Sequence, residues 1–466
     1  MRINRVVLLL LLFFTLTQIY FYFLIEISYF GFFLLLITLI TRFLYSLTIN
    51  ISNDLPTLMI WLYIEFGFLV GPFLINVLSS GSPLIINESF IFSYHLGEVT
   101  LLSFFIITII FHYVISSKSE SHRYHWENIS KQKLAFLAII IVSISFFVSY
   151  IASYLNIAGL EEKQPEIPGD IDGAINLYRT TAGYFFFIFI LDVYHEKKMK
   201  KHKTLWIFIY LIWLIYETII RTSKGGTLLS GLIPLIFWAY YRNILTKRFL
   251  KKMVPLILII FITYPIMSKY RELKASSSKI SYNQIVAIIK NKDINVGDLA
   301  INIYDRMIYR NAKNIDQFYT FYKYKFNNRY LFWNLDDIRE AGNSVKYHTH
   351  VIDNVPRERA HSSGITGFSE GYLIGGIIFL EFTLIIFSFI ATLICKKGRY
   401  WNPIIYVLLF SLLYRFIMGG MWHYITTYRN IIIWGAVFIF FILIQKKYVI
   451  YSPQKMRLSD NQKTNK

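Results

Sequence analysis

Apolar residues arrive along this chain in runs of about 20, the length that carries a helix across the hydrocarbon core of a bilayer. The runs fall at roughly 6–25, 29–49, 56–78, 93–117, 133–155, 177–195, 204–221, 225–243, 252–268, 371–394, 402–421 and 428–446. They predict an all-α polytopic membrane protein with about twelve transmembrane helices. The first run is too long for a signal-peptide core and no small-x-small site follows it, so it is expected to stay as a span. The eighth begins at Gly225-Gly226, and the eleventh is interrupted by Arg415 and Gly419-Gly420.

Composition agrees with that class and removes others. Charged residues make up 16% of the chain, against about 25% in a soluble domain. The hydrophobic content of 55% excludes disorder, and the single cysteine, Cys395, excludes a disulfide scaffold. A net charge of +20 would point to nucleic acid in a soluble domain. Here the positions of the charges decide otherwise. With Arg2 and Arg5 inside, the inner segments 118–132, 196–203, 244–251, 395–401 and the tail collect clusters such as Lys197-Lys198, Lys247-Arg248 and Lys396-Lys397. The outer loop 79–92 has no Lys or Arg, and 156–176 has only Lys163. That asymmetry is the positive-inside rule, and it predicts both termini in the cytoplasm. The excess charge then serves topology and attraction to anionic membrane lipids, and no nucleic-acid partner is expected.

Four segments follow: helices one to nine over 1–268, an outer-face loop over 269–370, helices ten to twelve over 371–446, and a basic cytoplasmic tail over 447–466. A loop that long is functional or disordered as a rule, and this one is rich in Tyr, Phe and Ile. Tyr304, Ile308, Ile315, Phe318 and Tyr322 share a helical face, while Arg306, Arg310 and Lys313 share another. The loop is expected to fold as a partly helical cap on the outer membrane surface.

Familiar catalytic signatures such as GxSxG, HExxH, CxxC and the P-loop are absent. His348 and His350 lack the further ligands a metal site needs. Asp336-Asp337 reads as a solvated acidic turn or as paired acids for a divalent ion. Neither a metal nor a cofactor is expected.

Basic residues on the outer side run against the charge rule and carry the functional signal. Arg221-Thr222-Ser223-Lys224-Gly225-Gly226 fills a very short outer turn before a helix. Free backbone N–H groups, the positive end of the helix dipole and two cations suit an anionic phosphate there. The bland alternative is an i,i+4 ion pair between Glu217 and Arg221. Arg271 is either a phosphate contact or an interfacial anchor beside Glu272. Arg415 lies within an apolar run, where charge lines a cavity or pairs internally, unless it snorkels to the interface. Glu65 and Glu381 are expected near mid-membrane as structural partners of one another or of an arginine. The densest polar group is Arg357-Glu358-Arg359-Ala360-His361-Ser362-Ser363, which feeds into the tenth run through Ser369-Glu370-Gly371-Tyr372-Leu373-Ile374-Gly375-Gly376.

In this stretch the chain resembles the bacterial O-antigen (oligosaccharide repeat-unit) polymerases and the related O-antigen ligases. In that family a long outer loop ends in His followed by Asn, Ser or Gln, with a glycine about nine residues later at the mouth of the next helix. His361-Ser362 with Gly371 fits one residue short. Glu370-Gly371-Tyr372 and Gly375-Gly376 are similar to the family's Glu–aromatic–Gly–Gly, and residues 221–226 to its upstream Ser–Arg/Lys–Gly turn.

The resemblance implies a glycosyltransferase of the bacterial inner membrane working without metal. Its substrates would be undecaprenyl-pyrophosphate-linked glycans, and a flippase and a chain-length regulator protein would be its neighbours. It assigns Arg221, Lys224, Arg271, Arg357, Arg359 and Arg415 to the lipid pyrophosphate, and His361 or Glu370 to the acceptor's proton. A lipid-linked oligosaccharide flippase and another polyprenyl-linked transferase remain the rival readings.

Overall fold

The computed structural model describes residues 5–25, 29–48, 54–70, 88–115, 130–154, 178–220, 226–244, 367–398 and 401–419, with isolated positions at 175, 435–437 and 439. Every regular element among them is helical, and none is a strand. They are α1 (Arg5–Ile25), α2 (Tyr29–Thr48), α3 (Leu55–Ile64), α4 (Glu88–Val114), α5 (Lys131–Tyr154), α6 (Gly183–Glu196), α7 (Lys200–Ile220), α8 (Gly226–Tyr241), α9 (Gly367–Lys397) and α10 (Pro403–Gly419). Two π-helical turns adjoin them, Glu65–Val70 after α3 and Tyr178–Ala182 before α6.

Among the described residues, four stretches are both long and apolar enough to cross a membrane: Gly31–Thr48, Tyr94–Val114, Lys131–Tyr154 and Gly376–Lys397. The side-chain pattern says the same thing by a different route. On α5 the buried positions Leu134, Ala138, Ile141, Ser145, Ser149 and Ala152 form one stripe, two of them serines. The opposite face exposes Phe136, Ile139, Phe147 and Tyr150, with Phe136 at 66%. An apolar outside around a stripe containing hydroxyls inverts the soluble arrangement, and lipid is the solvent that rewards it. The described residues are those of a helical membrane protein.

The chain divides into two compact units. The first contains α1–α4, α9 and the part of α10 from Leu412. Here α4 packs against α2 and α9, and α9 also packs against α3. Its centre is aromatic: Tyr45 lies 5.7 Å from Trp61, 5.4 Å from Phe104 and 5.0 Å from Phe105. The second unit contains α5–α8 and the first part of α10, up to Ser411. Phe187, Trp206, Tyr210 and Trp213 stack at its centre, with Phe187 5.0 Å from Trp213. Asn402 and Pro403 start α10 as a capped helix, with the Ile404 N–H donating to Asn402 Oδ1 at 2.8 Å.

The tenth apolar run was expected to enter the membrane at residue 371. Instead α9 doubles back on itself. Gly376 has φ 64°, a left-handed value that glycine tolerates and other residues resist. In a straight helix Phe368 and Phe387 would lie about 28 Å apart along the axis. Their rings are 5.2 Å apart, so residues 367–375 fold against the helix that follows. Gly371 makes that return possible: a Cβ there would sit 2.6 Å from Thr383 Oγ1 and 3.2 Å from the Phe379 carbonyl oxygen. The membrane-length helix accordingly begins at Gly376.

Candidate functional site

Charges inside these helices are held in partnerships that the local sequence does not announce. In the second unit, Arg179 and Glu217 are both fully buried. Arg179 Nε reaches both carboxylate oxygens at 2.9 Å, and Nη2 meets Oε2 at 2.9 Å. Ser149 Oγ also donates to Glu217 Oε1. Trp213 Nε1 donates to Ser149 at 3.1 Å, and Tyr178 and Ser145 share a hydrogen bond of 2.9 Å. Arg179 sits in a π-helical turn, a widened winding that recurs at functional positions. Glu217 therefore spends its charge on Arg179, a residue 38 positions upstream. Arg221, the i,i+4 partner that the sequence offers to Glu217, lies outside the described residues.

A second group lies at the other end of α6, roughly 20 Å along the axis from Arg179. Arg242 grips Asp192 with two bonds, Nε to Oδ1 at 2.6 Å and Nη2 to Oδ2 at 2.7 Å. Trp238 Nε1 adds a bond to Asp192 Oδ1 at 2.7 Å. The bidentate fork is a geometry only arginine supplies. Between them the two groups fasten α5, α6, α7 and α8 at opposite ends.

The first unit buries its own pair. Arg42 Nη2 lies 2.9 Å from Glu65 Oε1, which also accepts from Trp61 Nε1 at 2.9 Å. Gln18 Nε2 donates to Glu98 Oε1 at 2.9 Å. Glu381 accepts from Ser103 Oγ at 2.7 Å. Of the two acids expected near mid-membrane, Glu65 thus takes an arginine and Glu381 takes a hydroxyl.

Among the residues the sequence proposed for chemistry, two fall on described helices. Glu370 lies in the folded-back part of α9, two residues after the buried Phe368. Arg415 lies in α10, half-buried, beside Phe416. Phe416 and Phe368 both pack on Phe387, with ring centroids 6.5 Å and 5.2 Å away. The backbone segments bearing Glu370 and Arg415 thus converge on one aromatic ring inside the first unit. His361, Arg221, Lys224, Arg271, Arg357 and Arg359 lie outside the described residues, as do Asp336-Asp337, His348, His350 and the loop through residue 366.

Sequence reasoning passed over Arg42, Arg179, Asp192 and Glu98. The signal was present, because the rule that singled out Arg415 applies to any ionisable residue within an apolar run. No family model, curated protein or solved structure matches this chain.

Proposed function

We propose that this protein joins lipid-linked oligosaccharide repeat units, as a metal-independent glycosyltransferase of the bacterial inner membrane resembling the O-antigen polymerases. In this reading about twelve helices cross the bilayer with both termini inside, and the loop 269–370 covers the outer face. The growing glycan on undecaprenyl pyrophosphate is the donor, and a second lipid-linked repeat unit is the acceptor. A hydroxyl oxygen of the acceptor attacks the anomeric carbon, the bond from that carbon to the pyrophosphate oxygen breaks, and the lipid pyrophosphate leaves as an anion. The hydroxyl proton goes to His361 or Glu370; an imidazole with an ordinary pKa near 6.5 suits that work. Arg221, Lys224, Arg271, Arg357, Arg359 and Arg415 are the cations available to the departing pyrophosphate, a role in which fixed positive charge lowers the barrier.

The observation that carries this reading is the convergence of the Glu370 and Arg415 segments on Phe387. It brings the two backbone segments that carry Glu370 and Arg415 onto one aromatic ring next to a broken helix. The same broken helix also favours a second reading, a lipid-linked oligosaccharide flippase, because interrupted helices are how transporters build sites within the membrane.

Purified protein supplied with lipid-linked repeat units and a chelator decides between them. Elongated glycan and released lipid pyrophosphate are the expected products. His361→Ala and His361→Gln are each expected to slow elongation by roughly 10²–10⁴-fold. Normal polymerisation by both variants passes the base to Glu370. Arrest of the wild type by chelator refutes the metal-free mechanism, and lipid-linked units that cross the bilayer unjoined establish the flippase.

A further inference from the structure

A groove of about 310 Å³ opens between α5, α6 and α7, near the ends that carry the lysines. Ala135, Ile139 and Val142 of α5 form one wall, and Leu205 and Trp206 of α7 form the other, with His202 at the mouth. The lining is predominantly apolar, and Ala135, Ile139 and Leu205 are exposed. Its contributions from α5 lie within about 18 Å of that helix's first residue, so the groove spans a single leaflet.

Among the described residues, lysines gather around the mouth. Lys131 and Lys133 start α5, Lys198 occupies the α6–α7 turn, and Lys200 and Lys201 start α7, all of them exposed. The turn that presents them is tightly bonded: the Lys197 N–H donates to the Val193 carbonyl at 3.0 Å and the Met199 N–H to the Tyr194 carbonyl at 3.0 Å. Lys198 holds φ 56°, a backbone state usually given to glycine or asparagine. Glu196, the acid nearest this turn in sequence, already faces Arg242 at 3.3 Å.

We propose that this groove binds one anionic membrane phospholipid, with an acyl chain between α5 and α7 and the phosphate among Lys198, Lys200, Lys201 and the α5 lysines. Acyl chains are the medium that bathes an exposed apolar wall on membrane helices, so the groove is filled by lipid by default. The lysines then select which lipid. A phosphate diester with net negative charge is held by point charges at the membrane surface, whereas a zwitterionic headgroup brings its own ammonium and gains little. The groove and its lysines would hold such a lipid in either leaflet and whatever reaction the protein performs.

Native mass spectrometry of the purified full chain, equilibrated with equal amounts of cardiolipin and phosphatidylethanolamine, tests the assignment. The wild type is expected to retain one cardiolipin in at least roughly tenfold preference, the scale of a few surface lysines acting together. Lys200→Gln with Lys201→Gln should largely erase the preference, and Ala135→Trp should remove the retained lipid by filling the groove. Lys247→Gln with Lys251→Gln, in another basic segment, should leave it unchanged. Equal retention of both lipids overturns the proposal. So does equal loss in the Lys247/Lys251 control, which would mean diffuse attraction, or a dimer that Ala135→Trp dissolves, which would mean that the groove seats a second copy of the chain.

Discussion

Removing Arg179 should be among the most damaging single changes in the second unit. Arg179→Met keeps most of the side-chain volume but takes away the guanidinium that faces both oxygens of Glu217. Glu217 is fully buried among α5, α6 and α7, so its charge cannot be rehydrated without opening the bundle. Stripping one partner from a buried pair costs about 3–5 kcal/mol. That is a fall of roughly 10²- to 10⁴-fold in the folding equilibrium. Removing both charges behaves differently, because apolar replacements of similar volume restore a satisfied interior, a change that is often neutral or stabilising. Ser149 can follow, since its hydroxyl oxygen also lies 2.7 Å from the Ser145 carbonyl oxygen and can donate there instead. Arg179→Met/Glu217→Met should therefore recover most of the loss. Equilibrium unfolding of the detergent-solubilised protein in SDS, followed by circular dichroism, gives all the stabilities needed for a double-mutant cycle. A single variant within 1 kcal/mol of wild type, or a double variant as weak as the single, refutes the claim that this pair is a buried, tightly coupled one.

The turn in α9 gives a second stability series: Gly376→Ala should cost about 1–2 kcal/mol for its left-handed backbone. Gly371→Val should cost more by collision with Thr383 and the Phe379 carbonyl, while Gly435→Ala, with open space around it, should be neutral in the same SDS unfolding assay. For topology, a membrane-impermeant thiol reagent added outside should modify Ser277→Cys and Asn343→Cys but not Lys200→Cys; reversed labelling would remove the basis on which the outer-face residues were chosen. For the pyrophosphate site, Arg415→Ala should abolish polymer while the protein still accumulates in the membrane, and Arg415→Lys should restore only part of it, because lysine has no planar fork. Full polymer from Arg415→Ala would mean that this side chain merely reaches for the interface.

Each described helix overlaps an apolar run read from the sequence, because lipid favours a backbone that satisfies its own hydrogen bonds. The third helix nonetheless ends at Ile64, well before its run does at 78. Hydropathy could not say which charges meet. Gln18 and Glu98 are 80 positions apart, Arg179 and Glu217 38, Asp192 and Arg242 50. Each residue by itself reads as a tolerated interruption of an apolar run, and only the packing of helices reveals a pair. The Gly375-Gly376 dipeptide was legible as the mouth of a helix, but not as a reversal. That outcome depends on a single backbone angle and on Thr383 lying opposite a residue with no side chain. Glu370 and Arg415 were individually visible for their charge, while the ring of Phe387 that their segments share was one aromatic among 41 phenylalanines.

The folded-back part of α9 also bears on the order in which the protein is assembled. Residues 367–375 are too few to cross a bilayer, so hydrophobic length cannot hold them in place as it holds a full span. What holds them is Phe368, buried between Phe387 on its own helix and Tyr63 of α3, 5.8 Å away. Tyr63 is synthesised some three hundred residues before Phe368. The hairpin can settle only onto a surface that α3 has already formed. During synthesis the chain must therefore hold the first helices in the membrane, with that aromatic seat open, until α9 emerges. Its closure is then expected among the late events of folding, and it brings Phe368 and Phe416 onto the same ring, Phe387.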